Sequence, residues 1–452
     1  MITHLGLTHF KSLDELPAQE ITGLTLLCGT NSCGKSSFLQ SLLLLRQSLE
    51  QPGRSALSMN GPLVRLGHFS DTVSAKRKSW SIIYSVGLKD GSVLKLEYAA
   101  LAEGDDVVLK SLRAEMPNLT IALDSDGRGS TPYRPKVSFK TGHAIRFDYQ
   151  ALQGSHTLGN LRSAPAKVEV TLTGPDPRPT ELEREAREAL VALEDSLGKL
   201  SNWLQDHLHY VGPIRQAPER YYVVEGRADL GPHGENTVAV LMQAWGEKIT
   251  YIAPEGKNRT PVTLGKAVEK WLSYFQFRNE IEPTAEKGML YRLQLRLPRV
   301  EGQKTVSPRD VGYGLSQILP IVVAGLRAKE GDLLVFEQPE IHLHPAVQAR
   351  LAEFLMSLTR AGKAVLVETH SEHVVNRLRL RVAQDSSEEV RRAVRVLFVE
   401  QASGEWRSSI RPLQFDTFGS LETWPYGFFD DTDRELRALA EAGLQKLMRG
   451  AQ

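Results

Sequence analysis

The chain has 452 residues, enough for two or three domains, and its 41% hydrophobic and 24% charged residues are ordinary for a globular protein. Its 55 basic and 54 acidic side chains leave a formal net charge of +1, so nucleic-acid binding would need a local basic patch. No apolar run approaches the roughly 20 residues that span a bilayer, and no signal peptide is apparent. With Cys28 and Cys33 as its only cysteines, we expect no disulfide framework and a reducing cytoplasm. From the lack of a spanning run we expect no membrane partner.

The first strong pattern is a glycine-rich loop between a predicted strand, Leu24 to Cys28, and a predicted helix, Phe38 to Leu49. The loop fits the phosphate-binding pattern G-x-x-x-x-G-K-[ST] and comprises Gly29, Thr30, Asn31, Ser32, Cys33, Gly34, Lys35, Ser36 and Ser37. Glycines let the backbone wrap a phosphate chain, and the helix N-terminus attracts the anion. Lys35 is predicted to contact the β- and γ-phosphates of ATP, and Ser36 to bind Mg²⁺.

The regions around this loop read as strands. Met1 to Gln19 alternates apolar and polar residues, turns at Lys11 to Leu13, and predicts an edge strand leading toward the phosphate loop. Short strand-like runs separated by polar turns then recur from about residue 60 to 175 and predict a β-rich insertion. These runs are Ser81 to Leu88, Ser92 to Tyr98, Asp106 to Leu112, Leu119 to Leu123, Lys136 to Asp148 and Lys167 to Thr173.

After the breaker at residues 175–179, an amphipathic helix is predicted from Glu181 to about His207. Its apolar positions follow 4-3-4-3-4 spacing, at Ala186, Leu190, Leu193, Leu197, Leu200 and Leu204. Such a stripe either packs on its own domain or makes a short interchain contact. The following stretch from Tyr210 is mixed α/β, with a helix at Trp271 to Asn279 and a strand at Tyr291 to Leu297. Its residues Arg215, Arg220, Tyr221 and Tyr222 either touch phosphate or base, or are surface and core residues.

A second glycine motif opens a helix that runs to Leu326. Residues Asp310 to Gln317 read DVGYGLSQ, and closely spaced glycines at a helix start suit anion binding. The candidates for this contact are Gly312, Gly314, Ser316 and Gln317.

Two short apolar strands, Asp332 to Phe336 and Lys363 to Val367, complete the motif set. The first ends in Glu337 and Gln338, followed by Glu340, and a carboxylate there can hold Mg²⁺. The second is followed by His370 at the sheet edge where ligands bind, so His370 is predicted to sense the γ-phosphate. A transition-metal site of Asp310, Glu340, His342 and His344 is the weaker reading, because the two histidines also suit a helix cap or a dimer surface.

Together these residues resemble the head of ABC-class ATPases, nearest to the SMC-like, RecF-like and overcoming-lysogenization-defect (OLD) heads. The phosphate loop, the signature motif at 312–317, the Walker B run LLVFEQPEIHLHP and the switch ETHSEH occur in that family's order. The match is closest to a bacterial branch that carries the stretch seen here at Tyr210 to Tyr222 and the tail WPxGFFD, here Trp424 to Asp430.

The resemblance implies an α/β ATPase core with a β-rich insertion and a helical segment. Two composite sites for ATP and Mg²⁺ would form across a head-to-tail dimer, the signature helix of one subunit covering the ATP of the other. Three residues depart from the family pattern: Glu337 replaces the usual Asp, Gln338 replaces the catalytic Glu, and Gly312 replaces the signature Ser, with Ser316 nearby. Either Glu340 or another group such as His370 supplies the base, or hydrolysis is slow. The glutamine is either natural or an introduced trapping substitution.

Three functions compete on this basis. The first is an ATP-dependent dimeric switch or scaffold that presents its β-rich insertion and tail to DNA or to a protein effector, a nuclease or toxin. The resemblance suggests anti-phage defence or DNA-end sensing as its context. The second is a DNA repair or recombination ATPase that binds DNA directly, and the third is the ATPase of a transporter whose membrane part is another chain. The predicted domain division is 1–60 for the lobe with the phosphate loop, 61–175 for the β-rich insertion, 176–300 for the helical and mixed segment, 301–400 for the second lobe, and 401–452 for the tail.

Overall fold

The computed structural model describes residues 1–50, 55–74, 81–100, 106–124, 134–139, 144–146, 179–223, 229–277, 280–285, 290–296, 305–310, 313–401, 404–421, 435 and 438–443. Within these ranges the chain is an α/β protein, which confirms the predicted fold class. The predicted strand at Lys167 to Thr173, the signature residue Gly312 and the tail motif at Trp424 to Asp430 lie outside the described residues. The domain boundaries stay a prediction.

We number the elements in chain order. The first part of the chain contains β1 (Ile2–Phe10), β2 (Leu13–Glu20), β3 (Leu24–Gly29), α1 (Lys35–Glu50), α2 (Phe69–Thr72), β4 (Ser81–Leu88), β5 (Val93–Ala100), β6 (Val107–Glu115), β7 (Leu119–Asp124), β8 (Arg134–Phe139), β9 (Ala144–Arg146) and α3 (Pro179–Asp206).

The second part contains β10 (Leu208–Val211), β11 (Tyr222–Val223), α4 (Thr237–Gln243), β12 (Lys248–Ile252), β13 (Arg259–Thr263), α5 (Leu264–Tyr274), β14 (Glu280–Ala285), β15 (Leu290–Arg296), β16 (Thr305–Val306), α6 (Tyr313–Arg327), β17 (Leu333–Glu337), α7 (Pro345–Arg360), β18 (Ala364–Glu368), α8 (Glu372–Gln384), α9 (Glu389–Ala393), β19 (Val394–Gln401) and β20 (Ser408–Leu413). The predicted helix at Trp271 to Asn279 therefore begins and ends earlier, as α5, and the predicted strand at Tyr291 is β15.

The phosphate-loop strand lies inside a six-stranded sheet of order β10-β17-β18-β3-β19-β20. Its first five strands are parallel, and β20 pairs antiparallel at the edge. Side chains alternate between two hydrophobic cores: Leu24 and Leu26 point into one, and Leu27 into the other. Burial on both faces explains why β17 and β18 read as continuous apolar runs rather than as alternating ones.

A separate antiparallel sheet has the order β2-β1-β4-β5-β6-β7-β8-β9. The predicted turn near Lys11 is present, but the N-terminal segment is a hairpin of this second sheet, and β1 lies between β2 and β4. The prediction of a single edge strand leading to the phosphate loop is therefore wrong. Alternation shows which face of a strand is buried, whereas the choice of neighbours depends on pairing far along the chain.

The helix α3 packs its apolar stripe within its own chain. Leu193, Leu197 and Leu200 are buried in the same core as the leucines of α1. The indole Nε1 of Trp203 donates to the carbonyl of Gly331 at 3.3 Å, which fixes the helix end beside β17. The stripe is covered, so it offers no apolar face for the interchain contact considered from the sequence. None of the described helices is long and apolar enough to cross a membrane.

Candidate functional site

The phosphate loop connects the carboxyl end of β3 to the start of α1. Gly29 and Gly34 have φ angles of 147° and 97°. A Cβ on Gly29 would lie 2.1 Å from the carbonyl oxygen of Val399, and one on Gly34 would lie 2.7 Å from Ser12 Oγ. Both positions therefore require glycine for conformation and for space. The loop is held from outside by β19 and by the turn between β1 and β2.

Lys35 is buried inside this loop. Its Nζ donates to the carbonyl oxygens of Gly29 at 3.1 Å and Thr30 at 2.6 Å, and lies 3.9 Å from Cys33 Sγ. Among the remaining loop residues, Thr30, Asn31 and Ser32 are exposed, whereas Ser36 and Ser37 are half-buried. The lysine charge is thus preorganised where the pattern predicts a phosphate, held by carbonyls that an incoming anion can replace.

Three glutamates converge at the carboxyl ends of β17 and β18. Glu337 and Glu368 face each other in register across the two strands, and Glu340 follows in the next turn. All three are buried. Burial, followed by repulsion from Glu368, raises the pKa of Glu337 to about 7. Burial also raises the pKa of Glu340 and of Glu368, although the Ser36 hydroxyl and Lys35 oppose the shift at Glu368.

The contacts of these carboxylates differ. Glu337 accepts a hydrogen bond from the Tyr210 hydroxyl at 3.1 Å, and Glu368 accepts one from Ser36 Oγ at 3.1 Å. Glu340 Oε1 accepts from the backbone N–H of His370 at 2.7 Å. The second oxygens of Glu340 and Glu368 are buried and have no hydrogen-bond partner among the described residues. Buried polar atoms normally have partners, so these two oxygens can accept a hydrogen bond from a donor outside the chain.

Arg215 supplies the second buried cation. Its guanidinium donates to the carbonyl oxygens of Glu337 at 2.9 Å and Gln338 at 3.2 Å, and reaches Oε1 of Gln317 at 3.5 Å. Burial lowers the pKa of Arg215 to about 10, which leaves it charged at neutral pH. The same environment raises the pKa of Tyr210, first by burial and then by repulsion from Glu337. Arg215 therefore clamps the end of β17 to α6.

The predicted catalytic positions lie at this same edge. Gln338 has a φ of 43°, a left-handed conformation rare for a non-glycine residue, and its N–H donates to the carbonyl of Glu368 at 2.8 Å. His370 is exposed, yet partial desolvation and the charge of Lys35 lower its pKa. Its backbone link to Glu340 places the histidine beside the carboxylates, on the side of the phosphate loop.

The signature helix α6 begins at Tyr313. Gly314 lies near the Phe277 ring and the carbonyl of His342, and Ser316 Oγ donates to the Tyr313 carbonyl at 2.7 Å. Gln317, by contrast, is buried against Arg215 of its own subunit. Gly314 and Ser316 are thus half-buried, whereas Gln317 turns inward.

His344, beside Pro345, has the capping role considered from the sequence. His344 is the N-cap of α7 and accepts a hydrogen bond from the Ala346 N–H at 3.2 Å. His342 is exposed, with a φ of 60°. The part of the chain that the structure describes contains no group of three or more His, Cys, Asp or Glu arranged to hold a metal ion.

Sequence reasoning left three residues of the site without a role. Glu368 was named only as the residue before the switch, and Tyr210 only as the start of a mixed segment. Arg215 was left open between a phosphate contact and a core residue. A signal for Glu368 exists: β17 and β18 both end in glutamate, LLVFE and AVLVE, and parallel neighbours bring their ends together. No comparable signal marks Tyr210, since its strand lies far from β17 in sequence.

Two family matches cover parts of the chain. Residues 254–376 match the family described as "AAA domain, putative AbiEii toxin, Type IV TA system". Residues 391–439 match a family described as "Protein of unknown function (DUF3696)". The first match contains α6, β17 and β18 but not the phosphate loop. No curated protein matches the chain.

Solved structures with similarity to the chain include SMC heads. A head bound to the C-terminal winged-helix domain of ScpA is 12% identical, with 91% of this chain and 98% of that chain covered and a TM-score of 0.42. The head from Thermotoga maritima is 11% identical, with 91% and 99% covered and a TM-score of 0.36. A head with an extended coiled coil, bound to a ScpA domain derived from Pyrococcus furiosus, is 10% identical, with 98% and 99% covered and a TM-score of 0.39. At these TM-scores the likeness adds nothing to the description of the site.

The raised pKa of Glu337 predicts a pH-dependent stability without nucleotide or metal. A folded-state pKa of about 7, against an ordinary 4.5, means that the folded protein binds the extra proton. The stabilising contribution of the protonated Glu337 is therefore fully present below about pH 4.5 and is lost as the pH rises through about 7. The side chain in Glu337→Gln stays neutral at every pH. The free energy of unfolding of this variant, relative to that of the wild type, should therefore rise by about 2 kcal/mol between about pH 5 and pH 8.

Urea unfolding in EDTA at both pH values measures this difference. Glu188→Gln, on the exposed face of α3, is the matched control and should follow the wild type at both pH values. A constant difference between Glu337→Gln and the wild type would show that Glu337 is ionised throughout.

Proposed function

We propose that this protein is an ATP-binding, slowly hydrolysing ATPase of the ABC-like kind that acts as an ATP-dependent dimeric switch. One observation carries the proposal: at the start of α1, Ser36 next to Lys35 donates to the buried Glu368 at the end of β18, and the buried Glu337 ends the adjacent parallel strand β17. This arrangement combines a cationic phosphate site with carboxylates on its metal side.

Binding of the triphosphate follows from the loop geometry. The backbone of Gly29 to Ser37 wraps the phosphates, and the start of α1 directs its free N–H groups and helix dipole toward them. Lys35 Nζ exchanges its two carbonyl acceptors for the β- and γ-phosphate oxygens. No rearrangement of the strands is needed, because Lys35 is already inside the loop.

Ser36 and Glu337 are the residues that the sequence assigns to Mg²⁺, and the donor set fits that ion. Hydroxyl and carboxylate oxygens are hard ligands, and Mg²⁺ characteristically binds to one or two carboxylates, phosphates and waters. The buried oxygens of Glu340 and Glu368 that lack a hydrogen-bond partner among the described residues support a ligand at this edge of the sheet. When bound, Mg²⁺ neutralises charge on the phosphate oxygens.

Hydrolysis is slow because Gln338 cannot accept a proton as a carboxylate does. Glu340 is the nearest alternative base, and its contact with the His370 N–H holds it at the same edge. His370, neutral through its lowered pKa, donates a hydrogen bond toward the γ-phosphate and reports its presence.

Self-association would use the start of α6, where Tyr313 is exposed. Gly314 and Ser316, with Gly312 just before them, would cover the ATP of a second copy, and the second copy would do the same in return. The ATP-bound dimer would then present its β-rich region and C-terminal tail to a protein effector, a nuclease or toxin, in anti-phage defence of the OLD-like kind. The match to the family described as "AAA domain, putative AbiEii toxin, Type IV TA system" supports a toxin-related context.

ATP should drive two copies together, and Lys35→Ala should prevent it. Removing the phosphate-binding charge should lower ATP affinity at least tenfold, about 1.4 kcal/mol. Calorimetry measures the affinity, and light scattering with a non-hydrolysable ATP analogue measures the mass at micromolar protein. A mass that stays monomeric with and without the analogue would contradict the switch.

Gly314→Glu separates binding from assembly. A Cβ at Gly314 meets the Phe277 ring at an ordinary 3.4 Å, so the variant should fold and bind ATP. The added carboxylate should repel the partner's triphosphate and block dimerisation only.

Turnover should respond to Gln338 and Glu340 in opposite directions. Gln338→Glu should raise the single-turnover rate, since a positioned base contributes roughly 10²–10⁴-fold. Glu340→Gln should remove the residual rate if Glu340 has taken over. Fast wild-type turnover that neither substitution alters would place the base elsewhere, with His370 the next candidate.

A second candidate function, direct DNA binding, has one surface in its favour. Arg220, Tyr221, Arg309 and Tyr313 line a recess of about 460 Å³, beside Glu219. Tyr221 and Tyr313 are 48% and 62% exposed, and Arg292 lies 5.7 Å from the Tyr221 ring centre. Exposed aromatic rings next to arginines suit stacking with unpaired bases and contact with phosphate.

Fluorescence anisotropy with a single-stranded oligonucleotide of roughly 20 residues tests this candidate. Binding should weaken steeply with salt, and the double variant Arg220→Ala/Arg309→Ala should weaken it further. Arg184→Ala, on the exposed side of α3, is the control and should change little. Absence of binding at micromolar protein in low salt would leave the effector switch as the function.

A further inference from the structure

The contact between Ser36 and Glu368 has no assigned role. The phosphate-loop pattern places the Ser36 hydroxyl on Mg²⁺, and the usual expectation is that the acid of the LLVFE strand approaches it. In this structure Ser36 Oγ instead donates to Glu368 Oε1 at 3.1 Å. Glu337 accepts from Tyr210 on the other side, at 3.1 Å. The carboxylate that touches the metal-side hydroxyl therefore belongs to β18, not β17.

Strand order explains the difference. Glu368 lies opposite Leu27 of β3, one strand spacing from the phosphate-loop strand, which is about 5 Å. Glu337 lies on the far side of β18, two spacings or about 10 Å away. A glutamate on β18 reaches the start of α1 directly, whereas one on β17 must reach across its neighbour.

Glu368 also carries an unsatisfied atom. Its side chain is 3% exposed, and its Oε2 is buried without a hydrogen-bond partner among the described residues. A buried carboxylate oxygen without a donor costs free energy. A water from the hydration shell of a cation would satisfy it, and Mg²⁺ retains several such waters when it binds through one or two carboxylates and phosphates.

We propose that Glu368 is the metal-positioning carboxylate of the ATP site. Through Oε1 it accepts a hydrogen bond from the Ser36 hydroxyl, which would leave the serine lone pairs free for Mg²⁺. Through Oε2 it accepts a hydrogen bond from a water bound to the ion. Glu337 then has a smaller part in holding the ion. This assignment rests on the proposed ATP-binding function and reassigns the metal-side acid within it.

The affinity for Mn²⁺ tests the assignment without measuring turnover. The full chain is mixed with a non-hydrolysable ATP analogue, and free Mn²⁺ is followed by electron paramagnetic resonance. Glu368→Gln should weaken Mn²⁺ binding at least about tenfold, as loss of an outer-sphere partner typically does. Affinity for the analogue in EDTA should stay within about twofold of the wild type, because Lys35 and the loop are intact.

Three further variants make the result specific. Ser36→Ala should lower the Mn²⁺ affinity. The double variant Ser36→Ala/Glu368→Gln should bind Mn²⁺ only slightly more weakly than the single variant with the lower affinity, because both substitutions remove the same contact. Glu368→Asp keeps the charge but retracts it, and should fall between wild type and Glu368→Gln. Glu188→Gln, on the exposed face of α3, should match the wild type.

The outcomes separate the two proposals. A wild type that binds no analogue, with or without Mn²⁺, overturns the ATP-binding function itself. The assignment of Glu368 alone is overturned by a different result. In that result the wild type binds Mn²⁺ with the analogue, Glu368→Gln keeps the wild-type Mn²⁺ affinity, and Glu337→Gln loses it. Thermal unfolding of each variant confirms that the protein compared is folded.

Discussion

The candidate site depends on the register in which three parallel strands, β3, β18 and β17, pair with one another. Leu27 of β3 lies opposite Glu368 of β18, and Glu368 lies opposite Glu337 of β17. This register brings the phosphate loop and two carboxylates to one edge of the sheet. A shift of one residue would turn each glutamate to the other face of the sheet, because side chains alternate along a strand. The position of these charges is thus a consequence of backbone hydrogen bonding rather than of contacts between the charges themselves.

The hydrophobic cores on both faces of the sheet prevent the strands from shifting in register. They also exclude water from the site, which strengthens its electrostatic interactions. The apolar residues of β17 and β18 are fully buried, so the strands cannot slide without exposing them. The same packing excludes water from the glutamates and raises the pKa of Glu337. In such a medium charges interact more strongly than in water. A site held by strands also needs little reorganisation when its ligand arrives.

Arg215 connects the end of β17 to the helix α6. It binds the carbonyl oxygens at the end of β17 and reaches Gln317 on α6. The strand end at the proposed nucleotide site and the helix proposed to face a second copy are therefore joined through one buried side chain. Truncation of Arg215 would leave those carbonyls without their donor, which is costly for buried polar groups.

The local parts of this protein can be read from its sequence. The phosphate loop, the apolar strands before Glu337 and Glu368, the α3 stripe and the α/β class all follow from short patterns, because glycine, apolar periodicity and helix starts act over a few residues. Tertiary structure alone decided which of these parts meet. In the folded chain β18 lies between β3 and β17, and Ser36 donates its hydrogen bond to Glu368 rather than to Glu337. Gln317 turns inward and contacts Arg215. The N-terminal hairpin lies in the second sheet. These outcomes depend on pairings between segments up to hundreds of residues apart, and a single sequence carries no local signal for the neighbour that a strand will choose.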